Sequence, residues 1–185
     1  TTADDFILPA YAAQAEAATA LTEALAGYCR NDGEIDAIQA AFVDLFLAWQ
    51  RASIIQFGPV AEAEGLMRVQ LWPDPKGFSA RAIRAALRTD DPALLVEGGL
   101  TGRSIALTNL TALEVLLFKD LPPESYACDL AQAIGAFQAE LATGFVAAWT
   151  PGSSFRTAYD TAAEGNAQYA NADALLRQFL AGAVV

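Results

Sequence analysis

The sequence predicts an all-α protein, a bundle of four to five main helices with an irregular helical insert at about residues 58–98. Three observations predict it. Apolar residues make up 54% of the 185 and charged residues only 18%, a balance that suits one well-packed core. Apolar and alanine positions recur at helical spacing through most of the chain. No β-branched run alternates over a convincing length.

Taken in order, residues 5–28 read as a first helix, and "RNDGE" (30–34) reads as a turn in which Asp32 is a candidate cap. A second helix runs from Ile35 to about Phe57 and stops at Gly58-Pro59. A shorter helical piece covers 60–71. "WPDPKG" (72–77) reads as a loop, because Pro73 and Pro75 remove donors and push their predecessors out of the helical region. Short helices follow at 79–88 and 91–97, the latter broken by "EGGL". A helix is expected over 101–119, with Pro122-Pro123 before the next start. A long helix fills 124–149 and stops at "TPGS", and a last one covers 154–182, loosened near Gly165-Asn166.

Composition excludes several classes. A net charge of −11 repels phosphate backbones and anionic lipid, so no nucleic-acid partner is expected. No run of 18 apolar residues exists, so no transmembrane segment is expected in this chain. The chain has no histidine and only two cysteines, Cys29 and Cys128. That removes histidine-based triads, zincin sites and Glu-x-x-His di-iron sites, and it leaves too few thiols for a structural zinc site. No EF-hand pattern occurs. The opening Thr-Thr-Ala-Asp-Asp, without Met, is compatible with a processed, exported protein whose signal peptide is not in this chain.

Four stretches then fall in a telling order: "AWQRASIIQFGPV" (48–60), "LWPDPKG" (71–77), "SIALTNLTALEVLLF" (104–118) and "CDLAQAIGAFQAELATGFVAAW" (128–149). Together they resemble the imelysin-like family of exported bacterial proteins, over roughly residues 25–180. The resemblance implies an all-α protein from a family built of two related bundles, so the chain is read as one helical domain over 1–185, with the N-terminal half of a two-bundle protein as an option. It implies a periplasmic or outer-envelope protein, lipid-anchored in some members, and a non-enzymatic binding or accessory role linked to iron or haem acquisition. No cofactor is required on this reading; iron, haem or an envelope protein are the candidate partners. Some members carry a Gly-x-His-x-x-Glu motif proposed to bind metal. Here its Glu falls on Glu114, its His on Thr111 and its Gly on Asn109. A carboxylate-dependent metallopeptidase-like hydrolase, after the family's name as peptidases, and a helical protein-interaction module are the alternatives.

Glu114 is the only charge between Arg103 and Lys119, and Leu107, Leu110, Leu117 and Phe118 lie within about 60° of it on a helical projection. Arg51 is the only charge between Asp44 and Glu62. Two lone, opposite charges on apolar helices suggest a buried pair, with Trp72 or Thr111 completing its hydrogen bonds, and removing either charge would then cost about 3–5 kcal/mol. The other reading makes Glu114 a metal or ligand group. The candidate cleft comprises Arg51, Trp72, Asp74, Lys76, Thr111 and Glu114, although "WPDPKG" also reads as a rigid turn anchored by a packed Trp72. Phe42, Phe46 and Trp49 have core spacing. Tyr126, Tyr159 and Tyr169 could ligate ferric iron or haem, but their spacing singles none out. Asp90-Asp91 and Glu62-x-Glu64 read as solvated helix ends. For an exported chain, an even cysteine count favours a Cys29–Cys128 disulfide; two separate buried thiols are the alternative.

Overall fold

The computed structural model describes residues 1–163, 166 and 169–183, and no strand occurs among them. One π-type turn, Ala3–Ile7, runs into α1 (Leu8–Tyr28), followed by α2 (Ile35–Ala52). A 3-10 stretch at Gly58–Glu64 leads into the single turn of α3 (Gly65–Val69), and α4 covers Phe78–Thr89. After a 3-10 turn at Pro92–Leu94 come α5 (Ile105–Thr108), α6 (Leu110–Leu117), α7 (Tyr126–Trp149), α8 (Ser154–Asp160) and α9 (Ala172–Ala183). The all-α architecture with an irregular middle is the one the spacing predicts.

The centre of the molecule is α1, which packs on α2 and on α7. Its buried positions, Tyr11, Gln14, Ala18, Leu21 and Leu25, are spaced three and four apart and form one stripe. On α2 the matching stripe is Ile38, Phe42, Leu45 and Trp49. Burying each large aliphatic side chain of this kind contributes about 1.5–3 kcal/mol. Gly135 lets α7 approach α1 closely: a Cβ there would lie 3.1 Å from Leu25 Cδ1 and 3.4 Å from Thr22 Oγ1. Buried Gln138 on α7 donates to the carbonyls of Arg68 (2.8 Å) and Thr108 (2.6 Å), so the ends of two short helices are satisfied inside the molecule.

Several boundaries differ from expectation, each for a local reason. The second helix ends at Ala52 rather than Phe57, because Ile55 and Phe57 leave the helix to bury themselves, at 0% and 5% exposure. Phe57 is extended, and Gly58 follows at φ 71° where a Cβ would collide with the Phe155 ring. The turn before α2 uses Glu34 as its cap position with no side-chain bond, so Asp32 does not cap. The 60–71 piece is a 3-10 stretch followed by the short α3, and the 91–97 piece is a 3-10 turn at Pro92–Leu94 followed by turns. The 101–119 helix is two helices, broken at Asn109, whose backbone is extended and whose side chain takes over the capping. Asn109 Oδ1 accepts from Ala112 N (2.9 Å), while Nδ2 donates to Ser79 Oγ (3.1 Å) and to Ile105 O (2.7 Å). The last segment is likewise two helices, α8 and α9; of the expected loosening at Gly165-Asn166, Gly165 lies outside the described residues.

Both ends of α1 are clamped. At its C-terminal end Cys29 is bonded to Cys128 at the start of α7, with Cα atoms 5.7 Å apart. Beside the bridge, Tyr28 Oη donates to Leu121 O (2.6 Å) and Glu124 N donates to Cys29 O (3.1 Å). At the N-terminal end buried Arg156 of α8 holds Asp4 (2.7 Å) and Asp160 (2.8 Å), and donates to Trp149 O (3.3 Å). Among the described residues no helix is long and apolar enough to cross a membrane.

Candidate functional site

The expected Arg51–Glu114 pair does not form. Both residues are exposed, and neither belongs to any of the ion pairs among the described residues. The break at Asn109 is the physical reason on the α6 side. It resets the helix so that Leu110, Leu113, Leu116 and Leu117 turn inward and Glu114 turns to solvent. On α2, Ala52 and Trp49 take the core positions next to Arg51.

Glu114 instead stands on the wall of a groove of about 290 Å³ between α2, the 70–72 segment and α6. Phe42, Val43 and Phe46 come from α2, Gln70 and Trp72 from the connecting segment, and Thr111 and Phe118 from the α6 side. Hydrogen bonds tie these three pieces together. Gln39 Nε2 donates to Leu117 O (2.9 Å), Thr111 Oγ1 to Leu71 O (3.4 Å) and Trp49 Nε1 to Gln70 Oε1 (3.0 Å). Gln50 Nε2 also donates to Gln70 Oε1 (3.0 Å), which leaves the amide nitrogen of Gln70 as its uncommitted end. The rings of Phe42 and Phe118 meet edge to face at 5.7 Å, and those of Phe42 and Phe46 stack at 6.4 Å.

Trp72 is 75% exposed, so it is not the packed anchor of the rigid-turn reading. Phe118 at 49% and Val43 at 46% are exposed parts of the same wall, and Leu47 at 51%, outside the groove, continues the apolar face of α2. Asp74, by contrast, has a structural task. Its carboxylate accepts from Phe78 N (2.8 Å) and Ser79 N (2.9 Å) at the start of α4. The Ser79 amide above all, with the Phe78 amide, the Ser79 hydroxyl and Arg81 in support, holds its carboxyl below the ordinary carboxylate range. Lys76 is exposed and does not line the groove, and neither does Arg51. Of the six cleft residues read from sequence, the fold brings Trp72, Thr111 and Glu114 together.

The groove residues that sequence reasoning did not assign to a site are Phe42, Val43, Phe46, Gln70 and Phe118. Phe42 is buried at 5% exposure, as its spacing predicts, and lines the groove as well; Phe46, half-buried, packs against the core beside it. The tyrosines lie elsewhere. Tyr126 Oη donates to Asp91 O (3.0 Å), while Tyr159 and Tyr169 sit 6.4 Å apart in a cluster around Trp149. Burial pushes all three phenols up, which disfavours the phenolate that ferric iron would take. Asp91 caps its 3-10 turn through Ala93 N (2.9 Å), and Glu64 lies 3.7 Å from Arg68.

As a metal site the groove is poorly furnished. Glu114 is the one acidic side chain on its wall, Thr111 stands where a histidine would be needed, and both cysteines are in the disulfide. Among the described residues no three His, Cys, Asp or Glu side chains group closely enough to hold an ion. A larger concavity of about 390 Å³ runs along α7 past Pro59, Thr101, Phe137 and Glu140. We favour the Glu114 groove over it because size alone does not mark a site. The Glu114 groove combines a carboxylate unpaired among the described residues, an uncommitted amide and, in Trp72, an aromatic ring 75% exposed.

The family model for imelysin, Peptidase_M75, matches residues 7–185. The chain belongs to the imelysin family. Its fold is that of an imelysin-like protein from Psychrobacter arcticum 273-4, with a TM-score of 0.81 at 18% identity over 98% of this chain. The match covers 55% of that protein, so the chain spans about half the length of its structural neighbour. No curated protein matches the chain significantly.

Proposed function

We propose that this chain is a non-enzymatic binding or accessory protein of the bacterial cell envelope, serving iron or haem acquisition, with the Glu114 groove as its ligand-facing site. One observation carries the site: the sole carboxylate of an apolar helix stands in solvent, unpaired among the described residues, beside an aromatic surface that would normally be buried. Such a surface is retained against the cost of exposing it where something binds. The disulfide fits an oxidising, exported environment. The iron or haem link rests on membership of the imelysin family, and we read the chain as one helical unit equivalent to half of a two-bundle protein.

The side chains around Glu114 are aromatic, amide and hydroxyl groups, with no base or nucleophile hydrogen-bonded to it. They do not fit an ion-ligating site either, so the role is recognition rather than chelation or hydrolysis. The test is complementation. Deleting the gene in the producing bacterium should slow growth under iron limitation, and the wild-type gene should restore it. A Trp72→Ala/Glu114→Gln double variant, folded by circular dichroism, should fail to restore it. Full rescue by the double variant would remove the groove from the function. Chelator-sensitive cleavage of a protein substrate by pure material would overturn the non-enzymatic reading.

A further inference from the structure

We infer that the Glu114 groove receives an arginine side chain from a basic segment of a protein partner, an inference that rests on the groove being the ligand-facing site. The wall chemistry selects charge first. The aromatic rings of Trp72, Phe46 and Phe118 line it, Glu114 is a carboxylate without a hydrogen bond or ion pair to any described residue, and no basic side chain lines the groove. Aromatic faces beside an unpaired carboxylate attract a cation and repel an anion. The chain's net charge of −11 acts in the same direction at long range.

Geometry then narrows the cation. A guanidinium is planar and weakly hydrated, stacks on an aromatic face, and presents paired donors to a carboxylate. Its methylene stem would lie along Val43 and Phe118. Its size also fits, since the 290 Å³ volume lies at or below the lower end for whole ligands and is ample for one side chain.

A protein partner is favoured over a small cation because the groove is open and its apolar wall is widely exposed. Val43, Trp72 and Phe118 on the wall are 46%, 75% and 49% exposed, and Leu47, one helical turn beyond Val43 and outside the groove, is 51% exposed, which suits the apolar flanks of a peptide around a central arginine.

Tryptophan fluorescence tests this directly, because Trp49 and Trp149 are 3% and 0% exposed while Trp72 is 75% exposed. The probes are acetyl-Leu-Arg-Leu-amide, its citrulline counterpart, which is neutral and nearly isosteric, and tetramethylammonium. The arginine peptide should perturb Trp72 saturably, the citrulline peptide should bind at least about tenfold more weakly, and Glu114→Gln should abolish that difference. Raising salt should weaken the arginine peptide and leave the citrulline peptide unchanged. Equal binding of the two peptides would overturn cation recognition while leaving the groove as a binding face. Tetramethylammonium binding as tightly as the peptide would replace the protein partner with a small organic cation. No response of Trp72 to any probe would overturn the inference. The complementation result with Trp72→Ala/Glu114→Gln then decides separately whether the groove matters at all.

Discussion

The clamps at the two ends of α1 and the groove beside α6 use the same kinds of residue in opposite ways. Arg156 is 3% exposed, yet each of its three guanidinium nitrogens donates to an acceptor: Asp160, the Trp149 carbonyl or Asp4. Glu114 sits on a more apolar helix, is exposed, and meets no partner among the described residues. The buried charge therefore belongs to a segment that sequence reasoning passed over, and the charge expected to be buried lies in water. Burial of an ion is decided by whether acceptors converge from several elements, and the apolarity of its own helix says little about that.

The comparison is sharpened most by cutting the covalent clamp. Replacing Cys29 and Cys128 by Ala opens a link between residues 99 apart, and loop-closure entropy predicts a loss of about 4–5 kcal/mol in urea unfolding. Titration of the denatured, unreduced wild type should find no reactive thiol. Probe binding at the groove should be unchanged in the folded fraction, and a loss of binding would show that the two regions are coupled.

Next in size is Arg156→Met, which keeps the stem and removes the charged donors. Loss of hydrogen bonds to two carboxylates should cost about 2–3 kcal/mol in the same assay. A cost near zero would mean that the buried guanidinium is no better than an apolar side chain of its shape.

The same clamp should carry an acid signature. The Thr1 hydroxyl and then Arg156 hold the Asp4 carboxyl at about 2, below its ordinary 3.8. A depressed carboxyl stabilises the fold above its unfolded value, and that contribution is lost as the pH falls through about 2. The stability gap between wild type and Asp4→Asn should therefore be flat from about pH 5 upward and close below about pH 4. A gap that widens in acid would contradict the geometry.

The smallest effect is expected where the sequence suggested a large one. Glu114→Ala and Arg51→Ala should each change stability by no more than about 0.5 kcal/mol, and the double variant should be additive. A loss of about 3–5 kcal/mol in either, with strong non-additivity, would restore the buried pair and take the ligand from the groove.

The sequence by itself determined the all-α class, the loop at 72–77, the long α7 and the resemblance to the imelysin-like family, because periodicity, proline pairs and motif order are local properties. It also paired Cys29 with Cys128 by counting. Of the six residues it placed in one candidate cleft, Trp72, Thr111 and Glu114 line one groove, and Arg51, Asp74 and Lys76 do not. What it did not determine was which way the α6 face turns. One residue, Asn109, decides that by leaving the helix to bond Ser79, a residue 30 positions away. A buried Ser79 hydroxyl and the neighbouring helices exist only once the chain is packed, so the break carries no local signal strong enough to read. The exposure of Glu114 follows from the same tertiary choice.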